Sequence, residues 1–342
     1  MKVALVGLGY WGSKLLRNLV TLKGPGAVVA VDSHVDRLVT ASAAHPGVHF
    51  AASIDAVVAD DEVGAVLVAT PLESHFELAR AALAAGKHVF VEKPLASSSA
   101  DAVELARMAD ARRLTLMVGH TFLFSPRVER IAEYLDKGEM GQVHYVLSSR
   151  LNLGLHRSDA NVIWDLAPHD FSIIFHLLKE MPVLAQTMAH SVVRPGIPDV
   201  AFINLTFPSG AIAQVTVSWL APRKERQTVL VGQRNMTVYD DTNADEPIKV
   251  YDKGVVVPES PDFGENQLTY RYGNVVAPHV PAHEPLAREL THFLGCVDGA
   301  HPCRSDGWFG VQVVRALEAA DQSWRRGGVP VEIEERAVEM AT

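Results

Sequence analysis

The sequence has few cysteines, no excess of basic residues and no long apolar run, and each absence excludes a class of protein. Only Cys296 and Cys303 occur among 342 residues, without a C-x-x-C pair, which predicts free thiols rather than a disulfide framework or a zinc site. A formal net charge of −9 argues against nucleic acid as the main partner, because phosphate contacts need a basic surface. No run of about 18 apolar residues occurs, so we expect no membrane span.

The amino terminus, MKVALVGLGYWG, superficially resembles the start of a signal peptide. Its apolar run is short and broken by glycine, and no small-residue cleavage site follows it. We therefore expect a cytoplasmic protein. The composition, with 48% hydrophobic and 21% charged residues, is that of a globular chain, and the length suggests two domains.

The first 120 residues alternate between short aliphatic runs and segments with helical periodicity. Strands that are apolar throughout and separated by helices are typical of a parallel sheet covered on both faces. The sequence therefore predicts an α/β fold that begins with a doubly wound Rossmann domain over residues 1–120. Its predicted strands are Val3–Val6, Val28–Val31, Ala65–Ala69, Val89–Val91 and Thr115–Val118.

Beyond residue 120 several strands follow one another without helices between them, which indicates a large, open, mostly antiparallel sheet. We expect residues 121–342 to form an α+β domain for substrate binding and oligomerisation, whose last helix and strand can pack on the first domain. The turn Pro208-Ser209-Gly210 predicts a β-hairpin, and residues 241–282 are expected to form an excursion from the sheet or a long loop. Predicted helices are Pro126–Lys137, Asp165–Lys179, Glu284–Val297 and Gly307–Arg325, and predicted strands are Val143–Leu151, Leu184–Val193, Ala201–Phe207, Ala211–Trp219, Gln227–Val231, Met236–Tyr239 and Val329–Ile333.

A glycine-rich turn joins the first predicted strand to the first helix. Gly7, Gly9 and Gly12 form G-x-G-x-x-G in the context that binds dinucleotides. These glycines permit a tight turn and let the backbone approach a pyrophosphate, which the N–H groups of the helix N-terminus favour. Tyr10 and Trp11, inside the motif, are expected beside the cofactor.

The carboxyl ends of the next strands supply further cofactor candidates. Asp32 follows the last glycine of the turn by 20 residues, where a carboxylate binds ribose hydroxyls and repels a 2′-phosphate. We therefore expect NAD rather than NADP, with Arg37 either reaching a phosphate or standing in solvent. Thr70 and Pro71 end another strand at the ligand crevice, and His75 either begins a helix or faces the cofactor.

The stretch Lys87–Ala96 reads KHVFVEKPLA, an apolar strand that ends abruptly in Glu92-Lys93-Pro94. At the carboxyl end of a parallel strand, Glu92 and the Lys93 ammonium would lie beside the nicotinamide. Pro94 restricts the backbone of the residue before it and so directs the amine. The alternative, a surface loop with a solvated ion pair, does not fit the end of a buried strand.

The segment DLAPH places Asp165 and His169 four residues apart, on one face of a helix. Pro168 is tolerated only in a first turn, which predicts that the helix begins near Asp165. His169 is then a candidate acid/base that Asp165 orients, or part of a capping network. His176 is interpreted as a packing residue. With Asp170 this group lacks a third ligand at a familiar spacing, so we expect no metal.

Five other polar residues are candidates for substrate contact. His120 ends the last strand of the first domain, where it either touches a ligand or is an ordinary strand-end residue. Asn152 and Arg157, with Arg150 and His156, precede the DLAPH helix and either shape the pocket or lie in solvent.

Together GLGYWG, EKP, DLAPH and the closing helix resemble the Gfo/Idh/MocA oxidoreductases over nearly the full length. The resemblance implies that Lys93 contacts nicotinamide and the substrate hydroxyl, Asp165 binds a substrate hydroxyl, and His169 is the acid/base. It also implies an oligomer through the open sheet and a Lys-Pro peptide that is often cis. Many relatives carry an Asn-Arg pair after the sixth strand, where this chain reads GHTFLF over residues 119–124. This variant, with NVIWDLAPHD, resembles a subgroup linked to amino-sugar and nucleotide-sugar biosynthesis.

We therefore expect an NAD(P)-dependent enzyme that interconverts a secondary hydroxyl and a ketone on a sugar, nucleotide sugar or cyclitol. A homodimer or homotetramer is expected. Two alternatives remain at this point: a non-catalytic dinucleotide-sensing regulator, and a reductase of an imine or enal. The presence of Lys93, Asp165 and His169 together favours the dehydrogenase, since neither alternative needs all three.

Overall fold

The computed structural model describes residues 1–154, 156, 160–256 and 269–334. Two compact units share the chain: unit 1 contains Met1–Phe124 and His283–Arg315, and unit 2 contains Ser125–Ala282 and Ala316–Thr342. The border expected at residue 120 lies four residues from this division. The sequence placed residues 283–315 in the second domain, whereas the structure places them in unit 1.

Helices and strands are numbered along the chain. The helices are α1 (Tyr10–Lys23), α2 (Val35–Ala44), α3 (Asp55–Val58), α4 (His75–Ala84), α5 (Ser99–Arg112), α6 (Pro126–Asp136), α7 (Val162–Leu178), α8 (Pro285–Val297) and α9 (Gly307–Arg325). The strands are β1 (Lys2–Val6), β2 (Val28–Val31), β3 (His49–Ala51), β4 (Val63–Val68), β5 (His88–Glu92), β6 (Leu116–Gly119), β7 (Val143–Leu151), β8 (Leu184–His190), β9 (Val200–Thr206), β10 (Ile212–Ser218), β11 (Glu225–Gly232), β12 (Met236–Asp240), β13 (Ile248–Val256), β14 (Thr269–Val276) and β15 (Val331–Glu332). In the described ranges, no helix is both long and apolar enough to cross a membrane.

Unit 1 contains a six-stranded parallel sheet in the order β3-β2-β1-β4-β5-β6. Its central strands are apolar on both faces, and Leu5, Leu67 and Phe90 are completely buried. Helix α8 completes this core, because Phe293 packs edge-on against Phe90 with ring centroids 5.6 Å apart. The predicted doubly wound sheet is confirmed; the three-residue strand β3 was not predicted.

Unit 2 contains a nine-stranded sheet in the order β14-β13-β12-β11-β7-β10-β9-β8-β15. Neighbouring strands are antiparallel except β7 and β10, which run parallel. The predicted hairpin is β9–β10, with Leu205 opposite Ala213 and Gly210 at φ +85 in its turn. The predicted α+β unit with a mostly antiparallel sheet is therefore confirmed.

Residues 241–282 are not one long loop, so that prediction is wrong. Strands β13 and β14 form an antiparallel pair in which Val250 lies opposite Val276. The prolines, glycines and acidic residues that indicated a loop lie largely between these strands and before them. Averaging composition over the whole segment therefore concealed two strands rich in valine and tyrosine.

Helix α7 begins at Val162, three residues earlier than predicted. Asn161 caps it, and its side-chain oxygen accepts hydrogen bonds from the backbone N–H groups of Ile163 and Trp164 at 3.0 and 3.2 Å. Pro168 therefore lies in the second turn, where its missing N–H costs one helical hydrogen bond. The buried face of α7 contributes enough packing to offset that cost, which the proline rule alone could not show.

The face of the unit 2 sheet that packs on α7 contains a buried ion pair. The guanidinium of Arg150 on β7 donates to both carboxylate oxygens of Asp170 on α7, at 2.7 and 3.2 Å. The hydroxyl of Ser148 also donates to Asp170, at 2.8 Å. Arg150 is thus buried and paired with Asp170, which corrects the alternative that it lies in solvent; its role in shaping a substrate pocket stays a prediction.

The opposite face of the same sheet carries exposed apolar side chains. Met188 pairs with Phe202 across β8 and β9, and Ile212 pairs with Tyr145 across β10 and β7. These side chains and Leu147 project from one face and are between 38% and 62% exposed. Side chains alternate between the two faces of a strand, so the same strands present a buried inner face and an apolar outer one.

Candidate functional site

The turn between β1 and α1 approaches its neighbours so closely that two of its glycines have no room for a side chain. Gly7 has φ +98, and an added Cβ would lie 2.5 Å from the carbonyl oxygen of Ala69. A Cβ on Gly12 would overlap the carbonyl oxygen of Gly7. At Gly9, which precedes α1, an added Cβ would meet no described atom within 4 Å. The open side of the turn therefore lies at the helix N-terminus, where a pyrophosphate binds.

Asp32, just after β2, is a buried carboxylate with several donors. It accepts hydrogen bonds from the backbone N–H of Leu8 at 2.7 Å and of His34 at 2.8 Å. Burial by itself would raise the pKa of Asp32, but the bonds from His34, Leu8 and Arg37 outweigh it and hold the pKa below its ordinary value. Arg37 donates to Asp32 at 3.3 Å, so it is paired rather than merely solvated.

The two aromatic residues of the glycine turn form an exposed cluster with a lysine. Tyr10 and Trp11 meet edge to face with centroids 5.6 Å apart, and they are 73% and 40% exposed. The ammonium of Lys14 lies 3.9 Å from the Tyr10 ring centroid and 4.7 Å from that of Trp11. Lys14 was not predicted, although residues three and four apart on a helix are neighbours.

At the end of β4, Thr70 and Pro71 lead into a short 3₁₀ turn, and His75 begins α4. The two ring nitrogens of buried His75 lie 2.9 Å from the carbonyl oxygen of Thr70 and 2.8 Å from that of Pro94. Both partners are acceptors, so a ring N–H of His75 can donate to a backbone carbonyl oxygen. His75 therefore ties the end of β4 to the residue after Lys93, a contact that its place at a helix start did not reveal.

Glu92 and His120 end the neighbouring strands β5 and β6. Burial raises the pKa of Glu92 to about 7, although the positive charge of Lys93 opposes the shift. Burial and Lys93 together lower the pKa of His120 to about 3, so this ring is neutral. His120 packs edge-on against Phe309 at 5.5 Å. The Lys93-Pro94 peptide bond is cis.

Glu289 is a buried acid that the sequence analysis missed. It accepts a hydrogen bond from the Thr121 hydroxyl at 2.7 Å, and burial and the nearby Glu92 raise its pKa well above the ordinary value. The sequence did indicate that this acid is buried, because Glu289 falls on the apolar face of α8 formed by Leu286, Leu290 and Phe293. An acid on the core face of a helix is rarely there without a reason.

Asp165 and His169 lie on α7 in unit 2, one turn apart. The indole N–H of Trp219 donates to Asp165 at 3.0 Å and so orients its carboxylate. Trp219 lies just after β10, and the sequence did not predict its contact with Asp165. His176, two turns beyond His169, is partly buried on the same helix.

Asn152 lies after β7, where its backbone N–H donates to the carbonyl oxygen of Ser218 at 3.1 Å. The His156 ring meets Trp219 edge-on at 5.6 Å, close to the residue that orients Asp165. Arg157 lies outside the described residues. The predicted contacts of Asn152 and His156 with substrate remain predictions.

Both cysteines are free thiols, and they are not isolated. Ligand atoms of His292, Cys296 and Cys303 lie within 4.8 Å of one another. The backbone N–H of Arg304 already donates to Nε2 of His292 at 3.0 Å, and burial raises the pKa of both thiols. A cation would have to displace that amide and both thiol protons, so the cluster is best described as packing of α8 against the loop after it.

Comparison with known proteins extends these observations. Residues 1–120 match the model of the Gfo/Idh/MocA oxidoreductase family with its NAD-binding Rossmann fold, and residues 128–238 match the C-terminal domain of the same family. The chain belongs to the Gfo/Idh/MocA family. This confirms the resemblance that GLGYWG, EKP and DLAPH indicated. The protein is therefore an oxidoreductase with an NAD-binding domain.

Three members of the Gfo/Idh/MocA family illustrate the similarity. UDP-N-acetylglucosamine 3-dehydrogenase from Acidithiobacillus ferrooxidans is 29% identical over 266 residues, which cover 77% of this chain and 79% of that protein. Its solved structure superposes with a TM-score of 0.77 at 25% identity, covering 94% and 97% of the two chains. Inositol 2-dehydrogenase 2 from Saccharopolyspora erythraea is 31% identical over 227 residues, or 64% and 66%. GenD2 from gentamicin A biosynthesis, solved with NAD, shares the fold at a TM-score of 0.80 and 24% identity, covering 98% and 97%.

The glycine turn yields a test with a matched control. Gly12→Ala should lower the free energy of unfolding by about 3 kcal/mol, because the added methyl group overlaps backbone that cannot move away. Gly9→Ala, in the same turn but in open space, should cost about 1 kcal/mol or less. Urea denaturation of both variants measures the difference, and equal losses would contradict the close approach at Gly12.

Proposed function

We propose that the protein is an NAD-dependent dehydrogenase that interconverts a secondary hydroxyl and a ketone on a sugar, nucleotide sugar or cyclitol. The observation that carries this proposal is the position of Lys93 directly after β5, at the carboxyl edge where α/β sheets bind ligands. The similarity to a UDP-N-acetylglucosamine dehydrogenase and an inositol dehydrogenase supports the substrate class, since both names refer to polyhydroxylated rings.

The cofactor-binding residues in this proposal surround the edges of β1, β2, β4 and β5. Gly7, Gly9 and Gly12 admit the pyrophosphate, and Asp32 binds the adenosine ribose. Arg37, Tyr10, Trp11, Thr70, Pro71, His75, Glu92 and Lys93 are the remaining proposed members of this set. The lack of a side chain at Gly9 supports it, because the helix N-terminus there is open to an anion.

The chemistry divides among three residues. In the oxidation direction neutral His169 takes the hydroxyl proton, and the Lys93 ammonium stabilises the negative charge that develops on the oxygen. Asp165, oriented by Trp219, accepts a hydrogen bond from a substrate hydroxyl and fixes the ring. Bound NAD supplies the acceptor for the hydride that leaves the carbinol carbon.

His120, Asn152 and Arg157 are proposed to contact the substrate.

Replacing Lys93 by alanine should lower turnover by about 1,000-fold, because the developing alkoxide loses its nearest positive charge. NAD affinity should change little. The assay follows reduced cofactor by absorbance with panels of free sugars, cyclitols and nucleotide sugars, and with the corresponding ketones in reverse.

The control for this test is Lys23→Ala, which removes an exposed lysine of α1 and should leave turnover unchanged. Wild-type turnover in the Lys93→Ala variant would refute the role of Lys93. No turnover on any panel by the wild-type enzyme, with turnover on imines or enals, would establish the alternative chemistry.

The preference for NAD should depend on the charge of Asp32. Asp32→Asn keeps an oxygen for the Leu8 N–H, removes the charge that repels a 2′-phosphate, and releases Arg37 to bind it. We expect the ratio of dissociation constants to shift towards NADPH by about tenfold, or ~1.4 kcal/mol. Fluorescence titration with NADH and NADPH measures the ratio, and adding Arg37→Ala should abolish the gain.

A homodimer or homotetramer is proposed through the outer face of the unit 2 sheet. The exposed apolar side chains of Tyr145, Leu147, Met188, Phe202 and Ile212 occupy adjacent strands on that face. Contiguous exposed apolar patches of this kind mark interaction surfaces, and a sheet face can match a second copy of itself around a two-fold axis.

Phe202→Glu should convert the oligomer to monomers, because it buries a charge at the centre of the proposed interface. Sedimentation equilibrium at micromolar protein measures the mass. Val39→Glu, at an exposed valine on α2 of unit 1, is the control and should leave the mass unchanged. A monomeric wild-type protein would contradict the proposal.

A further inference from the structure

The carboxyl end of β5 and helix α8 together bury two carboxyl groups in unit 1. Glu92 is 8% exposed and Glu289 is completely buried. The Thr121 hydroxyl donates to one oxygen of Glu289 at 2.7 Å. The other oxygen of Glu289 and one oxygen of Glu92 are buried without a hydrogen-bond partner among the described residues. Two acids are thus held in the core with fewer donors than two carboxylates need.

The charged groups around this pair are few in the part of the chain that the structure describes. Lys93 follows Glu92 on the same strand end, and His120 lies after the neighbouring strand β6, where Gly119 is opposite Glu92. His120 has both ring nitrogens buried without a hydrogen-bond partner in the described ranges and is neutral because burial lowers its pKa to about 3. His75 contacts carbonyl oxygens rather than the carboxyl groups. Lys93 is therefore the cation whose positive charge acts on Glu92.

One ammonium compensates one buried carboxylate, not two. Neighbouring carboxyl groups in a medium of low dielectric constant do not both ionise near neutral pH, because desolvation and mutual repulsion oppose the second charge. Such a pair releases its protons in two coupled steps that belong to the pair. The raised pKa values of Glu92 and Glu289 agree with this description.

We propose that Glu92 and Glu289 share a buried proton, and that this proton determines how much of the Lys93 charge remains available to the substrate oxygen. Glu289 is then a positioning residue that acts through Glu92, from a helix nearly two hundred residues away in sequence. With the proton on Glu92, Lys93 faces a neutral partner and acts fully on the oxygen. When the proton leaves, Glu92 competes for the ammonium. The effect of this proton on the substrate oxygen, as distinct from the sharing of the proton, rests on the proposed role of Lys93.

The pair also makes the stability of the folded protein depend on pH, and this effect can be measured without substrate. An unfolded glutamate loses its proton near pH 4.5, whereas folded Glu92 keeps it up to a pKa of about 7 and Glu289 to a higher value. Between those values the folded state binds more protons than the unfolded state, so its stability falls as the pH rises. The contribution of the pair is complete below pH 4.5 and is lost as the pH passes the folded pKa values.

The experiment compares the melting temperature of the full chain between pH 5 and pH 9 for the wild type and for Glu289→Gln. The variant keeps the size of the side chain and an acceptor for Thr121. It should melt within about 1 °C of the wild type at pH 5 and roughly 5 °C above it at pH 9, because it has no buried charge to expel. Glu104→Gln, an exposed acid of α5, is the control and should follow the wild type throughout.

A second variant removes the hydrogen-bond donor to Glu289. Thr121→Val removes the hydrogen bond that stabilises the ionised form of Glu289, so its melting temperature should fall more steeply with pH than that of the wild type. Melting differences that do not vary with pH in Glu289→Gln and Thr121→Val would overturn the shared proton.

The pH profile of turnover separates this inference from the proposed function. Glu289→Gln should move the midpoint near pH 7 in the kcat profile while KM changes little, and Glu92→Gln should remove it. Unchanged profiles in both variants would overturn the link to Lys93, even if Lys93→Ala is inactive. Full activity of Lys93→Ala would refute the proposed function, while the melting curves would still decide whether the pair shares a proton.

Discussion

Burial of the unit 1 sheet on both faces restricts polar side chains to its carboxyl edge. A polar group among the central strands would lose its hydration without finding a partner, and the interiors of β1, β4 and β5 are accordingly aliphatic or aromatic. At the strand ends the backbone leaves the sheet, and donors and acceptors become available. The polar residues Asp32, Thr70, Glu92 and His120 all lie at this edge, at the ends of β2, β4, β5 and β6.

Two buried carboxyl groups at this edge show that local hydrogen-bond donors determine whether a buried carboxyl group is ionised. Asp32 and Glu92 are similarly buried, with exposures of 5% and 8%, yet their pKa values move in opposite directions. Asp32 receives hydrogen bonds from the Leu8 and His34 backbones and from Arg37, which stabilise the carboxylate. Glu92 has an oxygen without such a donor in the described ranges. One site therefore holds a permanent negative charge, and the other holds a proton that can be released.

The sequence predicted what depends on neighbours along the chain. The glycine turn, the parallel strands and the E-K-P strand end were accessible because each is a pattern within a few residues. Three features were not accessible, because each depends on a distant segment. Glu289 of α8 accepts a hydrogen bond from Thr121 after β6, Trp219 after β10 orients Asp165, and Arg150 of β7 pairs with Asp170 of α7.

The same limit explains the errors in secondary structure. Proline rules placed the start of α7 at Asp165, but the helix begins at Val162 after the Asn161 cap, and Pro168 lies inside it. The β13–β14 hairpin lies in a segment whose average composition is that of a loop, although each strand alone has β-forming residues. In both cases tertiary contacts override a local preference.

Unit 1 is built from two separated parts of the chain, and this affects its synthesis. Leu286, Leu290 and Phe293 of α8 belong to the same hydrophobic core as β1, β4 and β5, so residues 1–124 alone expose the surface that α8 covers. At about 5–20 residues per second, a ribosome needs roughly 10–30 s to pass from the end of the first part to the start of the second. During that interval residues 1–124 expose the apolar surface that α8 later covers. Completion of this core waits until α8 (Pro285–Val297) has been synthesised.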